Sequence, residues 1–156
     1  MELELIRITL DEAEELWQMQ TKAFIDLYEK YQDHDTSPAT EKLEKIIMRL
    51  NQPFTHYYYI VANGEKVGAI RVVDNGNKNK PKRISPIFII KEYRGKGYAQ
   101  KAILKAEELH GSSNWELDTI LQEKGNCYLY EKMGYYQTGE THKINDNMTL
   151  VFYKKD

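Results

Sequence analysis

Arg94-Gly95-Lys96-Gly97-Tyr98-Ala99 is the stretch of this chain whose residue types and spacing imply chemistry most directly. It lies between an apolar run, residues 84–90, and an amphipathic run, residues 97–110, so a strand should lead through a basic glycine turn into the start of a helix. The first N–H groups of a helix have no intrahelical acceptor and the helix dipole is positive there, which makes such a junction an anion site. Gly95 and Gly97 read as positions where a β-carbon would hold the backbone away from a ligand, Ala99 keeps the first turn slim, and Arg94 and Lys96 add charge. The spacing is not the G-x-x-x-x-G-K-S/T of a P-loop, which argues against a nucleotide phosphate-binding protein. Elsewhere, Cys127 has no adjacent His-Asp arrangement and reads as a buried structural thiol rather than an acyl-carrying nucleophile. His34, His56, His110 and His142 are too dispersed for a metal signature, so no metal is expected.

The elements that must position the turn are legible around it. Residues 3–8 alternate as a strand does, and Thr9-Leu10-Asp11-Glu12 reads as a capping box opening a helix over residues 11–31. Ser37-Pro38 is an N-cap with proline at the first helical position, predicting a second helix over residues 37–51. Asn63-Gly64 joins strands over residues 56–62 and 65–73 as a hairpin. Residues 74–83 read as a loop, and the nearly continuous apolar run 84–90 predicts a central strand buried on both faces. Gly111 stops the next helix, and a strand over residues 115–120 and a short helix over 126–133 follow. Residues 135–143 and 148–153 close a final, tyrosine-rich hairpin, the candidate surface for a homodimer. In Tyr57-Tyr58-Tyr59 the middle ring points opposite to its neighbours, which suits core packing or, on one face, a cleft wall.

The chain's 156 residues fit one domain, residues 1–156, large enough to bury a core without disulfide or metal. A net charge of −2 gives no support to nucleic-acid binding. No apolar run approaches the roughly 18 residues of a membrane span, and the N-terminal MELELIR lacks a signal-peptide pattern. A soluble cytoplasmic protein with neither nucleic-acid nor membrane partner is therefore expected. Charge is nonetheless uneven: residues 1–50 carry 12 acidic and 6 basic side chains, whereas residues 51–110, which include the glycine turn, carry 5 and 11.

Two motifs and the order of elements resemble the GNAT superfamily of acetyl-CoA-dependent N-acetyltransferases across essentially the whole chain. Arg94-x-x-Gly97-x-Ala99 behind a hydrophobic strand matches the family's Q/R-x-x-G-x-G/A pyrophosphate element, and Leu129-Tyr130-Glu131-Lys132-Met133-Gly134-Tyr135 resembles its LYEKxGF segment. The resemblance implies a mixed α/β (α+β) fold, with a mostly antiparallel sheet of about seven strands, a splayed central pair and about four flanking helices. It implies acetyl-CoA as co-substrate, its pantetheine arm on the main chain of Phe88, Ile89 and Ile90 and its pyrophosphate on Arg94, Gly95, Lys96, Gly97, Tyr98, Ala99 and Gln100. Asn126 stands four residues before Tyr130, not the family's seven, so a pantetheine contact and a helix cap are both open readings. Lys78, Lys80, Lys82 and Arg83 read either as a source of long-range attraction or as a solvated loop.

The implied reaction is acetyl transfer to a primary amine of a small molecule, peptide or protein, by direct attack in a ternary complex. An alkylammonium with a pKa near 10.4 holds roughly one part in a thousand free amine at neutral pH, a cost of about 4 kcal/mol that a base must offset. The strand 84–90 offers only Ser85 as a polar side chain, so the candidates are Glu29, Asp33, His34 and Glu123, acting through water. The resemblance assigns Tyr130 as general acid for the departing thiolate and the Ile89 N–H as oxyanion donor. It also places the helix break at residues 28–38, with Glu29, Asp33 and Asp35, beside the acceptor, where carboxylates favour a cationic amine. The alternative is a non-catalytic acyl-CoA-binding or sensing module of the same fold.

Overall fold

The computed structural model describes residues 3–156; Met1 and Glu2, the start of the N-terminal stretch considered above, lie outside the described residues. Strands β1 (Leu3–Arg7), β2 (Thr55–Ala62), β3 (Glu65–Val73), β4 (Lys82–Ile89), β5 (Trp115–Ile120), β6 (Tyr136–Asn145) and β7 (Met148–Lys155) form one sheet. Its order is β1-β2-β3-β4-β5-β7-β6, and every neighbouring pair is antiparallel except β4–β5. Helices α1 (Ala13–Tyr31), α2 (Leu43–Leu50), α3 (Tyr98–His110) and α4 (Lys124–Lys132) cover it. The expected mixed fold of seven strands and four helices is thus the one observed. Among the described residues no helix is long and apolar enough to cross a membrane.

Alternation along β2 divides the core into two layers. Tyr57 and Tyr59 pack with Leu16, Ala23, Ile46 and Phe88 on the α1/α2 face, while Tyr58 joins Ile103, Ala106 and Trp115 on the α3 face. All three tyrosines are buried, so the run serves the core, and none of them borders either cavity of the candidate site described below. At the far edge, β6 is exposed along most of its length.

Two helix starts differ from the sequence reading. The Thr9–Glu12 capping box is present, with the Thr9 amide donating to Glu12 Oε1 at 2.9 Å, but it heads a 3-10 turn, and α1 proper begins at Ala13. Ser37 caps only the 3-10 turn Pro38–Thr40; Glu41 and Lys42 are extended before α2. Glu41 is held there because its carbonyl accepts the Trp17 indole N–H at 2.8 Å and its carboxylate takes both ends of the Arg49 guanidinium, at 2.8 and 3.0 Å.

The pairing of β4 decides where a site can form. Its contact with β5 is limited to Lys82↔Trp115 and Arg83↔Glu116, after which the strands diverge. Pro86 has no N–H to give to a ladder, and the β3–β4 register shifts between Ile70 and Val72. The buried Arg71 side chain holds this irregular segment by donating to the Ser85 carbonyl at 2.9 Å. Consequently Ser85, Pro86 and Ile87 are only half-buried, a correction to the expectation of burial on both faces: they border an open gap. On the other side, β3 presses close. A β-carbon on Gly68 would lie 2.0 Å from the Phe88 carbonyl oxygen. Gly68→Ala is therefore expected to push β4 outward and cost about 1–3 kcal/mol in urea unfolding, with a parallel loss of any activity that depends on β4.

The loop before β4 is tied to the end of α3. His110 Nδ1 bonds the Asp74 carboxylate at 2.8 Å and its Nε2 bonds the Tyr58 hydroxyl at 2.9 Å. Burial lowers the His110 pKa despite the Asp74 carboxylate, so the unfolded chain takes up this proton at higher pH than the folded one. Stability should therefore fall as pH drops through the ordinary histidine range near 6.5. Urea midpoints at about pH 7.5 and about pH 5.5 should differ by less in His110→Asn than in wild type.

Candidate functional site

The glycine turn has the expected position. β4 ends at Ile89, a 3-10 turn follows at Lys91–Tyr93, and α3 starts at Tyr98 with Gly97 as its N-cap. Gly95 and Gly97 have φ of 79° and 78°, left-handed values that disfavour any residue with a β-carbon, and no atom lies within 4 Å of a β-carbon built on either. Their conformation, more than steric room, demands glycine. Lys101 makes the first backbone bond back to Gly97, so the amides of Ala99 and Gln100 precede it and open onto the adjoining cavity.

Arg94 has a structural task that the sequence reading missed. Its Nε donates to the Ile89 carbonyl and its Nη2 to the Ala23 carbonyl, both at 2.8 Å, which braces the turn against β4 and α1. Lys82 and Arg83 belong to β4, not to a loop, and lie ~23 Å along the strand from the turn. Lys82 donates to the Ser113 carbonyl and Arg83 pairs with Asp118 and Glu116, so neither is a reservoir of free charge for the turn.

Two cavities meet at the divergence of β4 and β5. One, of about 390 Å³, is bounded by Ile87, Phe88, Ile89 and the turn residues Arg94, Gly95, Gly97, Tyr98, Ala99 and Gln100. The other, of about 320 Å³, extends under the break between α1 and α2, past Asp33, Ser37 and Glu41, to Asp118, Thr119, Met148 and Leu150. Phe24, Leu27, Ile87, Asn126 and Tyr130 border both, so the two cavities adjoin and Tyr130 belongs to the wall they share.

The strand register sorts the main-chain groups around this junction. The Ile90 amide donates to the Val67 carbonyl at 2.8 Å and Phe88 pairs with Ala69, so both turn their backbone toward β3. By the alternation of an antiparallel ladder, Ile87 and Ile89 turn theirs toward the gap. Of the three residues expected to meet a pantetheine arm by main chain, Ile89 has the matching orientation, and Ile90 borders neither cavity. Lys96 also borders neither. Ile87, which the sequence reading passed over, is the better companion to Ile89.

Tyr130 is buried on α4, its ring against Tyr135 and Tyr153 at centroid distances of 6.0 and 6.1 Å. Burial, reinforced by the Asp118 carboxylate, pushes its pKa well above the usual tyrosine value. The hydroxyl is thus held protonated, a donor and not a base. Asn126 is not the helix cap: α4 begins at Lys124 with Glu123 at the N-cap position, leaving Asn126 to face the junction. Cys127 is buried, 3.9 Å from the carbonyls of Ile120 and Leu121.

The carboxylates fall into distinct places. Glu29 is exposed on α1 and borders neither cavity. Glu123 borders the larger one, but Tyr31 donates to it at 2.5 Å and Lys30 at 2.8 Å. Burial alone would raise its pKa, yet the bonds from Lys30 and Tyr31 outweigh that and lower it, which weakens Glu123 as a proton acceptor. His34 bonds Tyr28 at 2.8 Å outside both cavities. Asp33 is buried in the smaller cavity's wall, accepting from the amides of Asp35 and Thr36 and from the Thr36 hydroxyl. Asp118, on β5, was not singled out from the sequence. Arg83 engages its Oδ2, and Oδ1 carries no hydrogen bond from any described residue. The available signal was the alternation of 115–120, which sets Glu116 and Asp118 on the face opposite Trp115 and Leu117.

The Acetyltransferase (GNAT) family model matches residues 13–135, and the chain belongs to that family. Among solved structures, the fold is similar to a PaiA N-acetyltransferase from Thermoplasma acidophilum in complex with coenzyme A, at 15% identity and TM-score 0.75 over 100% of both chains. A spermidine N-acetyltransferase from Vibrio cholerae in complex with CoA and spermine aligns at TM-score 0.75 and 15% identity, over 97% of this chain and 93% of that one. The ribosomal-protein-S18-alanine N-acetyltransferase of Escherichia coli aligns at TM-score 0.71 and 9% identity, over 97% and 92%. No curated protein sequence matches the chain significantly. Among the described residues no group of three or more His, Cys, Asp or Glu is placed to hold a metal.

Proposed function

We propose that the chain, acting as one GNAT domain, is an acetyl-CoA-dependent N-acetyltransferase that acts on a primary amine by direct attack in a ternary complex. The observation that carries this reading is the adjacency of the two cavities at Tyr130, one bordered by the start of a glycine-capped helix and the other by Asp118. The residues fit acetyl-CoA: the α3 amides suit a pyrophosphate, and the outward backbone edge of Ile87, with the Ile89 N–H beyond it, suits an amide-bearing arm, the Ile89 carbonyl being taken by Arg94. Once bound, acetyl-CoA supplies an activated acyl group as a thioester.

The protein's own part is positional and protonic. The Ile89 N–H points into the gap, where negative charge on a thioester oxygen would develop. Asp118, with Oδ1 available and Arg83 fixing Oδ2, is the proton acceptor for the incoming ammonium, directly or through a water. Tyr130 returns a proton to the departing thiolate. Glu123, held through Oε2 by Lys30 and Tyr31, borders the larger cavity and not the smaller one, so it orders the coenzyme A side instead of serving as base for the acceptor.

Free-thiol release from acetyl-CoA in the presence of primary amines tests the proposal. Amine-dependent release supports it, whereas tight coenzyme A binding with no release from any amine makes the chain a binding or sensing module. Asp118→Asn is expected to lower kcat/KM by about a hundredfold with coenzyme A affinity retained. Loss of affinity in that variant would place Asp118 in the fold of the site instead.

A further inference from the structure

The smaller cavity, taken as the acceptor side of the proposed transferase, restricts the kind of amine it receives. Its charged wall residues are Asp33, Glu41 and Asp118; no described lysine, arginine or histidine borders it, and Arg49, Lys45 and Arg83, which pair with these carboxylates, are already engaged by Glu41, Glu116 and Asp118. An acceptor with a carboxylate or phosphate on its body would bury that anion beside carboxylates with no cation to meet it. A single ammonium is welcome.

A second ammonium is not, because the other carboxylates are already engaged. Glu41 takes the Arg49 guanidinium at both oxygens, the Gln20 amide at 2.8 Å and Lys45 at 3.3 Å, all from behind the wall. Asp33 closes its own turn through the amides of Asp35 and Thr36 and the Thr36 hydroxyl. Of these three, only Asp118 keeps an oxygen without a hydrogen bond from any described residue, and it lies beside Tyr130, where the reacting nitrogen belongs. Between these points the wall is uncharged and more apolar than polar: Phe24, Leu27, Ile120, Met148 and Leu150 dominate it, with neutral polar groups such as Thr36 and Thr119 among them. A volume of about 320 Å³ is at the small end of ligand cavities and suits one ring or a short chain.

We infer that the acceptor is a monoamine with an uncharged, apolar body, an arylalkyl- or alkylamine, and neither a polyamine nor an amino acid. Matched pairs test this with the full-length chain and acetyl-CoA. 2-Phenylethylamine against phenylalanine isolates an added carboxylate, and pentylamine against 1,5-diaminopentane isolates a second ammonium. The first member of each pair should have the higher kcat/KM by about tenfold or more. Calorimetry of the same four amines on coenzyme A-loaded protein separates the acceptor class from the reaction. Selective binding of the two monoamines without turnover upholds the class and removes the transfer step. Equal or better binding or turnover of phenylalanine or 1,5-diaminopentane overturns the inference, as does failure of all four to bind or react. Leu150→Glu, which adds an unpaired carboxylate to the apolar wall, should shift the pentylamine-to-diaminopentane ratio toward the diamine; an unmoved ratio in a folded variant also counts against it.

Discussion

Replacing Tyr130 with phenylalanine should lower kcat by about a hundredfold or more, while coenzyme A affinity and thermal stability stay near wild type. The ring keeps its contacts with Tyr135 and Tyr153, and the hydroxyl makes no hydrogen bond to any described residue, so its removal orphans no partner. What is lost is a proton donor held in its neutral form by burial and by the Asp118 carboxylate. The effect should fall on kcat because the leaving thiolate needs that proton only in the transition state. Steady-state thiol release and a melting curve on the same preparation check both halves. A variant with normal kcat removes Tyr130 from the reaction.

Gln100→Glu should weaken coenzyme A binding by about tenfold or more without destabilising the fold. Gln100 is the third residue of α3 and borders the larger cavity, so an isosteric carboxylate there faces any bound pyrophosphate. The same charge at a helix N-terminus is favourable to the helix, by about 0.3–1 kcal/mol. Affinity and stability are therefore expected to move in opposite directions, which a merely damaged variant would not do. Calorimetric titration with coenzyme A alongside thermal unfolding reads the two together; unchanged affinity would move the pyrophosphate away from this helix.

The parts of the molecule that were legible in the sequence are those specified locally. Asn63-Gly64 sets a hairpin, Ser37-Pro38 a helical turn, and Gly95 and Gly97 a left-handed backbone at the head of α3. The tyrosine run divides between the two core layers by simple alternation. What stayed hidden depends on residues far apart in the chain. Glu123 resembles an available base until Lys30 and Tyr31, 93 and 92 residues away, are seen to hold it. Arg94 reads as charge for a phosphate, and only its bond to the Ala23 carbonyl, 71 residues distant, shows that it also braces the turn. Asp118 has no local mark beyond the alternation of β5. It matters because β4 leaves β5 after Arg83, and where two parallel strands part is decided by the sheet as a whole.

The central claim is that the gap between β4 and β5 joins a coenzyme A site to an acceptor site at Tyr130. A crystal structure of the coenzyme A complex tests it most directly. It should show the pyrophosphate on the amides at the start of α3, the pantetheine arm along Ile87 and Ile89, and the thiol within hydrogen-bonding reach of the Tyr130 hydroxyl. A pyrophosphate bound elsewhere, or a thiol pointing away from Tyr130 and Asp118, would contradict it.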